Sequence, residues 1–209
     1  MITVFITGAT GFIGKRLIEK LVQQDIRVHA LYRDKSKIRE LQHPQIRWFR
    51  GDVTDRGSME PALRGCRYVF HLAAYAKVWS KNKHIYSESI YKGTLNLLEL
   101  CLEHGVAKVV ITSTAGVFGP SKNDEPVDEN TERTTAYFSD YEKYKDLTDR
   151  YIMEQYTTKI NFCIVCPSRV YGPGELSDSN AVTKLIKLYA EGKFRFLPGD
   201  GNSAGNYVF

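Results

Sequence analysis

MITVFITGATGFIG, residues 1–14, places the short apolar run Val4-Phe5-Ile6 directly before three glycines at positions 8, 11 and 14. A run of that length suits a strand buried on both faces, and the residues after it, to about position 24, suit an amphipathic helix. The glycines therefore sit on a strand-to-helix turn. In such a turn Gly8 allows the sharp bend, Gly11 lets the backbone approach a phosphate, and Gly14 lets helix and strand pack closely. The helix start then presents unpaired N–H groups and its positive dipole end to an anion. A plain turn could use the same triplet, so the rest of the chain has to decide.

Outward from this stretch, apolar runs alternate with helical patterns. The runs are ITVFIT, IRVHALY, IRWFRGDV, RYVFHLAA, VAKVVITS and INFCIVCP, with helices expected over residues 11–24, 35–42, 58–63, 84–104 and 140–157. That order is the signature of an α/β protein, a doubly wound parallel sheet with helices on both faces. With the glycine turn on the first strand, it is read as Rossmann-type and the turn as a dinucleotide cradle comprising Gly8, Gly11, Phe12, Ile13 and Gly14. Leu95, Leu98 and Leu102 are read as the core stripe of the fourth helix, with Gly105 stopping it. The irregular stretch 119–138 reads equally as part of a binding site or as a solvated insertion.

At 209 residues, 43% hydrophobic and 25% charged, the chain can hold one good core and part of a second lobe. No apolar run approaches the ~20 residues that span a bilayer, and no cleavage site follows the first strand, so a cytoplasmic protein is expected. The net charge of +5 is scattered, which suits an anionic small ligand about as well as nucleic acid and a solvated surface better than either, and no nucleic-acid partner is expected. Cys66, Cys101, Cys163 and Cys166 are read as buried thiols, since Cys163-x-x-Cys166 in a strand points its members to opposite faces. His29, His43, His71, His84 and His104 are too far apart to make short ligand pairs, and no metal is expected.

The second strand ends LYRDKSK, with Tyr32 where an acid would bind the ribose of NAD and Arg33 offering a fork for the 2′-phosphate of NADP. NADP is expected, with NAD left open by Asp34. Further on, Tyr141 and Lys145 stand four apart on one helical face. A phenol ionises near pH ~10, so acid–base work at neutral pH calls for help from the lysine and from an oxidised nicotinamide; a lowering of ~3 units corresponds to roughly 4 kcal/mol. Ser113 and Thr114 end the fifth strand, at the sheet edge where such folds bind ligands.

TGATGFIG, GDVTD, HLAA, GTLNLLELC, STAGVFG, YEKYK and PSRVYGPG, in this order, resemble the extended short-chain dehydrogenases/reductases, the NAD-dependent epimerase/dehydratase family. The resemblance implies that Thr114, Tyr141 and Lys145 are the catalytic trio, with Ser113 beside them. It also implies that Asp52 and Val53 flank the adenine, that Ala73 and Ala74 lie along the cofactor and that Pro167 borders the nicotinamide. LYRDKSK and AAYAKVW are more similar to the dihydroflavonol-reductase-like branch, and Ala115-Gly116 replaces the Asp-Glu pair of sugar dehydratases. Ile90 and Tyr144 depart from the family pattern. Residues 1–166 are expected to form the dinucleotide-binding domain and 167–209 the beginning of a smaller, truncated substrate-binding lobe. The activity expected is hydride transfer between a nicotinamide cofactor and a carbonyl or alcohol of a small-molecule substrate. A nucleotide-sugar epimerase and a non-catalytic dinucleotide-binding scaffold or sensor are the alternatives, and a homodimer is compatible with all three.

Overall fold

The computed structural model describes residues 1–38, 41–121, 125–174, 180–196, 200 and 205–209. Six parallel strands form one sheet: β1 (Thr3–Thr7), β2 (Arg27–Tyr32), β3 (Ile46–Arg50), β4 (Tyr68–His71), β5 (Lys108–Thr112) and β6 (Phe162–Val165). Their spatial order is β3-β2-β1-β4-β5-β6, so the winding reverses between β1 and β4. This is the doubly wound Rossmann order, and ligands of such sheets bind at the carboxyl ends of the two strands where the order reverses.

Alternation along β1 builds the two faces. Val4 and Ile6 pack with Ile18 and Leu21 of α1 (Phe12–Val22), whereas Phe5 joins Met59, Leu97, Leu98 and Ile152 on the other side. Those partners come from α2 (Arg56–Leu63), α4 (Gly93–Glu103) and α5 (Asp140–Tyr156). Each central strand is thus sealed on both faces, which is why its sequence is apolar without alternation.

α4 continues from a single turn, α3 (His84–Tyr86), through a π-helical segment over Ser87–Lys92. At its start lies a buried polar chain. Thr94 donates its hydroxyl proton to the Ile90 carbonyl at 2.5 Å, so the His71 Nε2 2.9 Å away must be its donor. The other ring nitrogen, Nδ1, then accepts from the Thr7 hydroxyl at 2.7 Å, and Thr7 Oγ1 accepts from the Ala73 N–H at 3.2 Å. β1, β4 and α4 are joined through one neutral imidazole, whose pKa is driven down to about 3 by burial and by the charge of Lys145.

Three expectations need correction. Leu102 is 38% exposed: the buried stripe of α4 runs through Thr94, Leu97, Leu98 and Cys101, in phase with the Thr94 anchor, and Leu95 is only half-buried. Cys163 is exposed, because β6 is the edge strand of the sheet; Cys66 and Cys101 are buried, with burial pushing both thiols up to about 12. The helix expected over 35–42 is a 3-10 turn over Lys35–Ile38, with residues 39 and 40 outside the described residues.

The stretch over 119–138, of which 122–124 lie outside the described residues, is held to the body by Arg133. Its buried guanidinium donates to the carbonyls of Gly116 and Ala136 and to Glu142, and it stacks on Tyr137 at 4.4 Å. Beyond β6, the two-residue strands β7 (Arg169–Val170) and β8 (Tyr207–Val208) pair in parallel, and α6 (Ala181–Ala190) buries none of its residues. Residues 175–179, 197–199 and 201–204 of the expected lobe lie outside the described residues. Among the described residues no helix is long and apolar enough to cross a membrane.

His71→Leu leaves two buried hydroxyls without their partner and is expected to cost about 2–4 kcal/mol of stability. Because the folded-state pKa of His71 is depressed, its contribution is complete above its ordinary value of 6.5 and is lost as pH falls towards about 3. Urea unfolding should show that this contribution, about 1.4 kcal/mol per pH unit below 6.5, disappears in the variant. An unchanged acid limb would show that His71 is charged in the folded state.

Candidate active site

The reversal of strand order brings the end of β1 against the end of β4, and Gly8 occupies the pinch. Its φ is +69°, and a Cβ there would lie 2.7 Å from both the Ala73 nitrogen and the Leu72 carbonyl carbon. Gly14 is buried, and a Cβ on it would strike the Gly8 carbonyl and Ala9, so it is the glycine that seats α1 on β1. Gly11 differs from both: it is exposed, and a Cβ would meet only the Gly8 oxygen, at 3.1 Å. Gly11 is the N-cap of α1 and supplies no side-chain cap, and the first turn, with Phe12, Ile13 and Gly14, carries no acid. The helix start therefore keeps its positive end for an outside anion. Phe12 leans towards the chain after β7, within 3.6 Å of the position a Gly172 Cβ would take.

At the end of β2, Arg33 reaches across to Asp52 at 3.2 Å while remaining 76% exposed. Asp52 also accepts the N–H and hydroxyl of Thr54, both at 2.9 Å. Burial pushes the Asp52 carboxyl up, but the Thr54 bonds and Arg33 together hold it below its ordinary value. Val53 is buried beside Gly93, whose Cβ would lie 2.7 Å from it. Ala73 and Ala74, half-buried, follow β4 on the same edge of the sheet.

Further along that edge, β5 ends at Thr112 and is followed by Ser113 and Thr114. The Lys145 ammonium, 4% exposed, donates to the Thr112 carbonyl at 2.6 Å, which fixes the face of α5 bearing Tyr141 and Lys145 against the end of β5. The two hydroxyls there differ. Ser113 donates to Asp149, whereas Thr114 caps the 3-10 turn Ala115–Phe118 by accepting the Gly116 N–H at 3.2 Å. Among the described residues no acceptor takes the Thr114 proton, and the Tyr141 hydroxyl has no hydrogen-bond partner. Pro167 borders this group through its carbonyl, which accepts the Ala115 N–H at 2.9 Å.

Asp149 is the residue that sequence reasoning missed. Tyr141, Lys145 and Asp149 are successive members of one helical face, spaced by four, a pattern readable in the sequence once β5 is known to lie opposite. Burial dominates all three groups. It lowers Lys145 to about 8 against the opposing pull of Asp149, and raises Asp149 to about 6 against Ser113 and Lys145. Tyr141 is raised to about 12 by burial, then by Asp149 and Glu142. The Lys145 ammonium is turned to the Thr112 carbonyl, and the charges that act on the Tyr141 phenol in this structure are those of Asp149 and Glu142. Glu142 also explains Gly116, where a Cβ would fall 3.0 Å from its carboxylate.

A parallel sheet that reverses at β1, with a glycine-bounded helix start at the reversal and a tyrosine–lysine face two strands away, has the Rossmann-type architecture. More narrowly, the chain belongs to the NAD dependent epimerase/dehydratase family, whose sequence model matches residues 4–209. It is 28% identical over 207 residues to bovine sterol-4-alpha-carboxylate 3-dehydrogenase, decarboxylating, covering 98% of this chain and 56% of that protein. It is 30% identical over 205 residues to a putative dihydroflavonol 4-reductase of Synechocystis sp., covering 98% and 58%. The chain thus spans a little over half the length of these relatives. Among solved structures, the UDP-glucose 4-epimerase of Thermus thermophilus, in complex with NAD, superposes with a TM-score of 0.85 at 27% identity, covering 99% of this chain and 70% of that one.

Asp149→Asn removes the negative charge that opposes the desolvation of Lys145. The lysine is then expected to titrate below the parent's value of about 8, read from side-chain NMR of labelled lysine across pH 6 to 9. An unmoved midpoint would take Asp149 out of the network.

Proposed function

We propose that the chain is the cofactor-binding portion of an oxidoreductase that passes hydride between a nicotinamide and a carbonyl or alcohol, with NADP preferred over NAD. The observation that supports this reading is the Lys145–Thr112 bond, which holds the face of α5 bearing Tyr141 against the end of β5, two residues before Thr114. The fit of a dinucleotide rests on the uncapped start of α1 and on the pinch at Gly8, both of which leave backbone rather than side chain facing the crevice. In this reading Gly8, Gly11, Phe12, Ile13 and Gly14 hold the pyrophosphate, Asp52 and Val53 flank the adenine, and Ala73, Ala74, Ser113 and Pro167 line the way to the nicotinamide. Arg33 meets the 2′-phosphate. Residues 1–166 form the dinucleotide-binding unit and 167–209 begin the substrate lobe, in a cytoplasmic enzyme compatible with a homodimer.

When bound, the nicotinamide supplies the hydride taken by the carbonyl carbon and, once oxidised, a positive charge next to the phenol. Thr114 donates to the carbonyl oxygen and fixes it. Tyr141, kept protonated by burial, gives its proton to that oxygen as negative charge develops there. Lys145 holds the ribose, and Asp149 keeps the lysine charged. Burial keeps the phenol protonated, as the proton donor of a carbonyl reduction must be. Transient oxidation by an epimerase with the same residues is the second reading, favoured by the likeness to the NAD-bound epimerase.

NADPH is expected to bind about tenfold more tightly than NADH, the difference vanishing in Arg33→Ala. Equal affinities in the parent, measured by nucleotide fluorescence, would remove the NADP assignment. Tyr141→Phe should lower carbonyl reduction by at least ~100-fold while leaving NADPH binding within about twofold. Undiminished turnover would exclude Tyr141 as the proton donor.

A further inference from the structure

Arg133 lies in the irregular stretch before α5, in no helix or strand, yet its side chain is only 3% exposed. A guanidinium carries five N–H donors in one plane, and here each of them has an acceptor. Nε donates to the Thr135 carbonyl at 3.0 Å. Nη1 donates to the carbonyls of Gly116 and Val117, the second at 3.3 Å. Nη2 donates to the Ala136 carbonyl at 2.8 Å and to the Glu142 carboxylate at 3.2 Å. The plane rests on the Tyr137 ring, 4.4 Å from its centroid, and the Tyr137 hydroxyl donates in turn to Asp146 of α5.

These acceptors belong to two turns that the proposed chemistry has to keep in register. Gly116 and Val117 are part of the 3-10 turn that Thr114 caps. Glu142 stands next to Tyr141 in the first turn of α5; its carboxylate also accepts the Phe138 N–H at 3.1 Å, and its own N–H is capped by Ser139 at 3.3 Å. A buried ion pair adds little net stability over an apolar pair of the same size. A planar fork with every donor engaged has a single orientation, so what this pair supplies is geometry. An ammonium, with three tetrahedral donors, cannot reproduce it.

We propose that Arg133 is a positioning residue for the carbonyl reduction: it locks the turn capped by Thr114 to the first turn of α5, and so sets where the Thr114 hydroxyl stands relative to the Tyr141 phenol. This rests on the reductase reading above and adds to it a residue that acts through Thr114 and Tyr141, since every donor it has is already engaged within the protein. Glu142 is one of the charges that act on the phenol, so the same guanidinium also balances a charge beside it. A misplacement of about 1 Å at a reacting centre costs on the order of 100-fold in rate, which gives such a lock its leverage.

The test uses the 209-residue protein labelled with 13C at the tyrosine Cζ, the Tyr141 resonance being assigned from Tyr141→Phe. NADPH binding is followed by fluorescence, turnover with NADPH and 4-nitrobenzaldehyde as the probe carbonyl, and folding by urea. Arg133→Lys should shift the Tyr141 resonance and lower kcat about 10–100-fold, with KM within about threefold and NADPH affinity within about twofold. In Arg133→Ala, millimolar guanidinium should restore part of kcat and ammonium none of it. Arg133→Lys and Glu142→Gln together should shift the resonance by less than the sum of their separate effects, because both break one bridge. An unmoved Tyr141 resonance in Arg133→Lys, a loss confined to KM, additive shifts or equal rescue by ammonium would each overturn the proposal. A lowered urea midpoint with resonance and kcat unchanged would leave Arg133 as a loop anchor only. A parent that binds no NADPH overturns the reductase reading alone; the Tyr141 resonance then still decides whether Arg133 joins the two turns.

Discussion

The Thr7–His71–Thr94 chain is the constraint on which the molecule's working edge depends. It ties β1, β4 and the start of α4 at the point where the sheet reverses, and that reversal makes the crevice. A buried imidazole satisfied on both nitrogens is a rigid spacer of fixed length. With Ala73 N–H bonded to Thr7, the backbone leaving β4 is pulled to within contact of Gly8, and only glycine fits the pinch. The cradle's shape is therefore set partly from beneath, by polar groups inside the core, and not only by the glycines that line it.

A second buried polar group, Ser113, Lys145 and Asp149, has the corresponding role at the far side of the crevice. It fixes α5 against β5 and holds the Ser113 proton on Asp149, while the Thr114 proton has no acceptor among the described residues. The cost of burying two opposite charges is visible in their opposite displacements, the lysine down and the carboxyl up, each moved by desolvation further than its partner restores it. Lys145 is held by the Thr112 carbonyl and Asp149 by the Ser113 hydroxyl, so the face of α5 cannot rotate without stranding a buried charge.

Much of this was legible in the chain. The strand order's raw material, six apolar runs with helices between them, is a matter of periodicity, and Tyr141 and Lys145 declare their common face by spacing alone. Less could be read where the answer depends on what lies opposite. Asp149 acquires meaning only when β5 is across from it; His71 looks like one isolated histidine among five until Thr7 and Thr94 close on it. Cys163 reads as buried because an apolar strand carries no mark of lying at the sheet edge, and Leu102 reads as core because the phase of α4 is set by Thr94 rather than by its leucines. β7 and β8, at two residues each, leave no periodicity to read.

Arg33 meets the Asp52 carboxylate through one nitrogen at 3.2 Å and stays 76% exposed, so a phosphate arriving at the end of β2 would compete for the guanidinium with both a carboxylate and water. Its gain would be the difference between pairings of the same surface cation, and salt would weaken it. Selectivity between ligands with and without that phosphate would therefore be modest, with the carboxylate of Asp52 as the anion against which the incoming one is weighed.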